Sequence, residues 1–148
     1  MRVLDSSMRK ERGQSLIEFT FMLFVLLVLV TGIVDASRAF FTYLAMRDAA
    51  QEGALYGSTN PCDNASICNR VQHTSNLIEG IWSNLTVSRT INDKACLGGA
   101  IQVTVAYDNF IITMPFIGAF HGRQSVPISA TVTDTILTPS CQVQTTCP

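Results

Sequence analysis

One stretch of the chain is far more apolar than the rest. From Phe19 to Val34 no side chain is charged, and residues 21–30 form a continuous apolar run. A helix needs about 20 predominantly apolar residues to cross a hydrocarbon core about 30 Å thick. Residues 14–34 meet that length with one charged side chain, Glu18, near their beginning. We therefore predict a transmembrane helix over residues 14–34.

Two other interpretations of this run stay open. A secretory signal has a shorter apolar region, of about 7 to 15 residues, followed by small residues at a cleavage site. Asp35, Ala36 and Ser37 form a weak site of that kind, so a cleaved signal would leave a mature chain that starts near Ser37. A helix buried in the core of a soluble domain would be equally apolar.

The helical pattern continues beyond the apolar run. Residues 35–57 contain no proline and several alanines, which favours helix, and Phe40 and Leu44 follow helical spacing. Gly57 and the Ser-Thr-Asn-Pro sequence after it are typical of a helix end. We predict one helix over residues 14–57, about 66 Å long at 1.5 Å per residue. Its second half would form a stalk outside the bilayer.

The rest of the chain predicts an α+β domain. Apolar side chains recur at helical spacing and predict a second amphipathic helix over residues 66–84. The period then changes to two in three segments, which predicts half-buried strands. Two helices followed by three strands predict a small antiparallel sheet laid against the helices. The inward positions of the strands are Leu85, Val87 and Ile91, then Ile101, Val103, Val105 and Tyr107, then Val126, Ile128, Ala130 and Val132.

Residues 110–120 form a second apolar segment of a different kind. Most of them are apolar, yet Pro115 and Gly118 argue against a regular helix or strand. One interpretation is a loop folded over the edge of the sheet. The other is an exposed apolar patch that meets lipid or a partner subunit. The sequence leaves both open.

Charge is sparse and unevenly placed. The net charge is −1 and only 14% of residues are charged, against about 25% in typical soluble proteins, so a nucleic-acid-binding surface is not expected. The first 12 residues carry four basic and two acidic side chains. Basic residues before a first span favour a cytoplasmic N-terminus. We predict a cytoplasmic basic leader at residues 1–13, a helical extension at 35–57 and an extracytoplasmic α+β domain at 58–148.

Two residues at the start of the apolar helix are unusual. Gly13 has no Cβ, so its backbone is open to close approach by a peptidase. Glu18 places an ionisable group at the edge of the hydrocarbon region, where such a group usually marks a partner or a function. Cleavage after Gly13 would leave Gln14 with a free α-ammonium one helical turn from the Glu18 carboxylate, and the two charges could neutralise each other. The simpler alternative is a loop glycine with a glutamate at the headgroup level.

These features together resemble a known family. A basic leader, a glycine and a glutamate five residues later, ahead of an apolar helix, resemble the processing signal of type IV pilin-like proteins. The pair Glu18 and Phe19 resembles the Flp-pilus branch of that group. The helical extension resembles TadE-like proteins, whose pattern is close to SRAF…Y…A…AAREGARYA, although Leu55 stands where an arginine is usual. The residues that carry this last resemblance are Ser37, Arg38, Ala39, Phe40, Tyr43, Ala49, Ala50, Gln51, Glu52, Gly53, Ala54 and Tyr56.

The resemblance implies a function in assembling a Flp-type (tight-adherence) pilus, as a membrane-anchored pseudopilin-like protein. In that family a prepilin peptidase cuts after the glycine, here Gly13, so the implied mature chain starts at Gln14. The family's glutamate, here Glu18 beside Phe19, takes part in subunit assembly. The implied partners are the prepilin peptidase, other pilus-assembly or pseudopilin subunits and the lipid bilayer. The implied location is a bacterial inner membrane, with a single signal-anchor span.

Two alternative functions remain. A minor pseudopilin of a secretion machine would share the same leader. A secreted binding domain would follow if the apolar helix were a cleaved signal peptide.

The cysteines indicate an oxidising compartment. On the predicted topology they all lie outside the membrane, where disulfides form. We predict the bridges Cys62–Cys68 and Cys141–Cys147, which join the two closely spaced pairs and leave Cys96 unpaired. Other pairings remain open, because spacing alone does not determine connectivity.

The sequence contains no motif for catalysis. It lacks a glycine-rich phosphate loop, a nucleophile elbow and paired carboxylates in a plausible pocket. A zinc site is an alternative use of the cysteines, but CxxC spacing is absent, and His73 and His121 have no neighbours typical of metal ligands. We therefore expect neither an enzyme nor a cofactor.

Overall fold

A single unbroken helix, α1, spans Asp5–Thr59 and is 55 residues long. The structure, a computed structural model, describes residues 5–92, 98–114 and 122–138, with the side chains of residues 5–12 and of Asn92 excepted. The continuous helix predicted over residues 14–57 is confirmed, and it extends further at both ends. The division of the chain at residues 13, 34 and 57 stays a prediction.

The predicted antiparallel sheet is confirmed. Its three strands lie in the order β1-β2-β3, and each pairs with its neighbour in the antiparallel sense. A shift in register between Tyr107 and Phe110 lets the second strand continue to Ile111. The first two residues of the apolar segment 110–120 therefore belong to a strand, while residues 115–120 lie outside the described residues. The bounds are β1 Leu85–Asn92, β2 Ala100–Ile111 and β3 Ser125–Thr135.

The prediction of one helix over residues 66–84 is wrong. The backbone of Ser75 is extended (φ −154°, ψ 154°), and its hydroxyl accepts a hydrogen bond from the Ile78 amide at 3.3 Å. Serine favours such N-cap positions, and Ser75 therefore begins a new helix after the first has ended at Gln72. Asp63 caps the first of them, and hydrogen bonds from Ser66 lower the pKa of its carboxyl. The elements are α2 Asn64–Gln72, α3 Asn76–Ile81 and a 3₁₀ turn at Trp82–Asn84.

The core lies between the second half of α1, the sheet and α2. Small residues of α1 allow this close packing: a Cβ added to Gly53 would lie 2.6 Å from Cγ2 of Val71, and one added to Gly57 would lie 2.5 Å from Cδ1 of Ile101. Both α2 and β2 therefore approach the backbone of α1 closely. The fully buried core side chains include Met46, Ala49, Ala50, Val71, Ile78, Ile101, Val103, Val105 and Ile136.

The end of the domain next to Thr59, the upper end, is closed by hydrogen bonds to two backbone carbonyls at the end of α1. The amide of Leu137 donates to the Ser58 carbonyl at 2.8 Å, and the hydroxyl of Thr138 donates to the Thr59 carbonyl at 2.9 Å. The chain after β3 is thus fixed to the end of α1. The opposite, lower end of the sheet lies beside the middle of α1, near Asp35.

Arg89 is a charged residue on the inward face of β1. It is buried, and burial lowers the pKa of its guanidinium. Its Nη1 donates a hydrogen bond to the carbonyl of Pro61, in the turn that follows α1. This contact ties the turn to the sheet.

We expect Gly53→Ala to destabilise the outer domain by about 1–3 kcal/mol, because an added methyl would overlap Val71 and a β-branched side chain cannot easily move aside. The matched control is Gly80→Ala, since an added Cβ there has no described atom within 4 Å. Guanidinium unfolding in detergent micelles, followed by Trp82 fluorescence, measures both free energies. Equal stability of the two variants would contradict the close approach of α1 and α2.

Candidate assembly segment

The four residues predicted to serve processing and assembly lie on one exposed part of α1. Gly13, Gln14, Glu18 and Phe19 are all exposed, and a Cβ added to Gly13 would have no described atom within 4 Å. Gln14 and Glu18 are four residues apart in an unbroken helix, so they lie on the same face, one turn apart. The structure therefore brings the implied new N-terminus and the glutamate together.

The first half of α1 has no partner among the described residues for most of its apolar surface. Its large side chains are exposed, for example Ile17 at 70% and Phe21 at 66%. The most apolar window of the helix has a mean hydropathy of 2.6, and none of it is buried within the chain. A helix of this length and composition can cross a membrane, which is consistent with membrane anchoring. This exposure does not fit the alternative interpretation of the apolar run as a helix buried in the core of this domain.

The first carboxylate after the apolar run binds the loop that follows β2. Asp35 is only 6% exposed. One of its oxygens accepts a hydrogen bond from the Thr113 hydroxyl, and the other accepts one from the Met114 amide at 2.5 Å. Arg38 lies 3.5 Å from the same carboxylate and donates to the Thr113 hydroxyl at 3.1 Å. We call this set of four residues the Asp35 latch.

The latch stabilises the charged form of Asp35. Burial alone disfavours the carboxylate and raises its pKa, but the hydrogen bonds from Thr113 and Met114 and the positive charge of Arg38 outweigh it. The net result is a lowered pKa for Asp35. The guanidinium of Arg38 also lies over the Phe110 ring, 5.6 Å from its centroid. The latch therefore joins α1 to the lower end of the sheet through charge, hydrogen bonds and an aromatic contact.

A second polar set ties α1 to α2. Arg70 lies 2.7 Å from Glu52 and over the ring of Tyr56, 4.5 Å from its centroid. The Tyr56 hydroxyl in turn donates to Asp63 at 3.2 Å. These side chains are partly exposed, so each ion pair contributes about 1 kcal/mol or less. Glu52 and Tyr56, two residues of the TadE-like pattern, thus have structural contacts within this chain.

The cysteine predictions are only partly within the described residues. Cys62 lies in the turn after α1, and Cys68 lies buried on α2. The bridge Cys62–Cys68 stays a prediction. Cys96, Cys141 and Cys147 lie outside the described residues.

The sequence of α1 is similar to a known protein family. The family model described as "TadE-like protein" matches residues 13–55. This segment is TadE-like. The match covers under a third of the chain and includes Gly13, Glu18, Asp35 and Gly53, so the resemblance predicted from the sequence is confirmed over these residues. No curated protein and no solved structure matches the chain significantly.

Sequence reasoning missed the role of Asp35. The sequence pattern places Asp35 only within a weak cleavage site. The partners Thr113 and Met114 follow it by more than 75 positions, so helical periodicity carries no sign of the contact. The one available signal was a carboxylate at the membrane boundary, where an ionisable group needs a partner.

We expect Asp35→Asn to lower the free energy of unfolding at pH 7 by about 1.5–3 kcal/mol, the range for hydrogen bonds to charged groups. Because the pKa of Asp35 is lowered from its ordinary 3.8, its contribution is complete above that value and is lost as pH falls through the lower folded-state pKa. The two proteins should therefore become equally stable in acid.

Hydrogen exchange at the Met114 amide checks the same contact directly, and exchange at that amide should accelerate in Asp35→Asn at neutral pH. Asp48→Asn is the control, since Asp48 is an exposed carboxylate on the same helix. Unchanged exchange at Met114 in Asp35→Asn would argue against the latch.

Proposed function

We propose that this protein is a pseudopilin-like component of a Flp-type (tight-adherence) pilus system, anchored in a membrane and without enzymatic activity. The observation that carries the proposal is that the TadE-like segment lies on a helix whose two halves differ in exposure. The first half of that helix exposes its apolar side chains, and the second half forms the core of a folded domain. A long helix against an antiparallel sheet also has the general arrangement of a pilin.

The structure of α1 supports retention of the helix over its removal as a secretion signal. The helix is unbroken from Ile33 through Ser37, whose hydroxyl bonds the Ile33 carbonyl at 2.8 Å. Cleavage near Ser37 would separate Asp35 from Thr113 and Met114 and would undo the latch. Retention of the helix leaves the domain intact and anchored.

The proposed topology places the leader in the cytoplasm and the domain outside the inner membrane. The basic residues before the span favour this orientation. The predicted bridge between Cys62 and Cys68 would form in an oxidising compartment, which agrees with this placement of the domain. The proposed partners are a prepilin peptidase acting after Gly13, and other pilus subunits that meet Glu18 and Phe19.

We expect Gly13→Leu to block processing in cells that contain the native prepilin peptidase. The wild-type protein should start at Gln14, and the variant should retain its leader, because a side chain at Gly13 obstructs close approach of a peptidase. Intact-mass analysis and N-terminal sequencing of membrane-extracted protein measure the start. The substitution should leave folding unchanged, because an added Cβ at Gly13 meets no described atom within 4 Å.

The control for this experiment is Ser15→Ala, a substitution two residues away that should leave the start at Gln14. A wild-type protein that keeps its full N-terminus would reject processing. A start near Ser37 would instead make the helix a cleaved secretion signal, and the domain a secreted binding protein.

We expect Glu18→Gln to be processed normally but to assemble poorly. The substitution keeps the size of the side chain and removes the charge that would pair with the α-ammonium of Gln14 on the same or a neighbouring subunit. Surface pili should fall by about tenfold or more, which corresponds to a loss of about 1.4 kcal/mol at the contact. Counting pili by electron microscopy in a complemented deletion strain measures the effect.

Thr20→Val provides the matched control for Glu18→Gln. Thr20 lies half a turn away, and its hydroxyl bonds the Leu16 carbonyl of its own helix at 2.8 Å. Its replacement should leave pilus numbers unchanged. Normal piliation in Glu18→Gln would remove Glu18 from the assembly mechanism.

A further inference from the structure

The lower end of the sheet is held beside a part of α1 that belongs to the apolar run. Sδ of Met114 lies 3.6 Å from the position that a Cβ on Gly32 would occupy. Gly32 precedes Asp35 by three residues, and it therefore lies about 4.5 Å further along the helix toward the middle of a bilayer. The loop after β2 thus extends past the polar boundary that Asp35 marks.

This end of the domain exposes apolar side chains next to that contact. Ile111, the last residue of β2, is 63% exposed, and Ile112 and Met114 are partly exposed. The Ile112 amide donates to the Gln124 carbonyl at 3.0 Å, which fixes the backbone that presents these side chains. An exposed isoleucine is ordinary on a protein surface, but a group of apolar side chains held beside the proposed span is not.

Uncharged polar groups line a groove next to these apolar residues. The groove combines amide, hydroxyl and phenol groups, which can exchange hydrogen bonds with lipid headgroups. Arg38 extends beside it with half of its side chain exposed, as expected for a cation at the headgroup level. The polar side chains that line the groove are Asn84, Tyr107, Asn109, Thr113, Gln124 and Ser125.

We propose that the lower end of the sheet, formed by Ile111, Ile112 and Met114, enters the outer interface of the bilayer that α1 crosses. The inference rests on the proposed membrane span. Its occupant is lipid, because the latch and the contact with Gly32 fix the depth of these residues relative to α1. Once α1 is inserted, the surface is at the bilayer without the help of any partner protein.

The contact gives the domain a second attachment to the membrane. The first is the span itself, which alone would permit α1 to tilt toward any side of the domain. The second lies to one side of α1, so it favours the tilt that brings that side of the domain to the bilayer. The polar groove next to it would accommodate headgroups at the same depth.

The test places the photo-crosslinking residue p-benzoylphenylalanine at single positions of the full chain in native membranes. Ile111 is the test position. Leu137 is its matched control, because it is an apolar residue of equal exposure, 62% against 63%, at the upper end of the sheet. Leu27, 56% exposed in the apolar run, reports the span itself. After irradiation, mass spectrometry of the purified protein measures a mass increase of one phospholipid.

The proposal expects lipid adducts at Leu27 and Ile111 and none at Leu137. Adducts at Leu27 alone would overturn the membrane contact while the span stands. No adduct at Leu27 would overturn the span and this inference together. A protein–protein adduct at Ile111 in place of lipid would show that a partner subunit covers the surface, and would also overturn the proposal. Retained protection of the Met114 amide from hydrogen exchange confirms that the Ile111 variant is folded.

Discussion

The outer domain is held together by the close packing of α2 and β2 against the glycine-containing face of α1. Gly53 and Gly57 allow Val71 and Ile101 to reach the helix backbone, and the buried core forms around that contact. Three strands form the sheet in the described part of the chain, and a sheet of that size depends on the helix for an inner layer. The same helix continues into the apolar run. The domain and the proposed anchor consequently share one continuous helix, and neither half of that helix can be replaced independently of the other.

The polar contacts of α1 act at the two ends of this shared core. The Asp35 latch fixes the lower end of the sheet, and the bonds from Leu137 and Thr138 fix the upper end. Between them lie the apolar core, the partly exposed contact of Glu52 with Arg70 and the buried Arg89. The TadE-like segment therefore contains two kinds of residue: those such as Gly53 and Glu52 with contacts inside the chain, and those such as Glu18 whose surface remains open to a partner.

Periodicity predicted the features that repeat along the chain. The length of α1 and the three strands follow from apolar spacing, and the resemblance of residues 13–55 follows from local motifs. Isolated polar residues were harder to predict. Ser75 splits the predicted second helix because its hydroxyl caps a new one, and Arg89 occupies an inward position because a carbonyl is available at Pro61. The partners of Asp35 are distant in sequence, and pattern analysis cannot detect such a contact.

In the proposed topology, the unbroken course of α1 makes the domain respond to the thickness of the membrane. Transmembrane helices tilt by about 20° on average, and a long apolar stretch in a thin bilayer tilts further. From Asp35 to Thr59 the helix rises about 36 Å, so a 20° tilt displaces its upper end sideways by about 12 Å. Since neither a proline nor a hinge interrupts that path, lipid composition would set the angle at which the sheet is presented to neighbouring subunits.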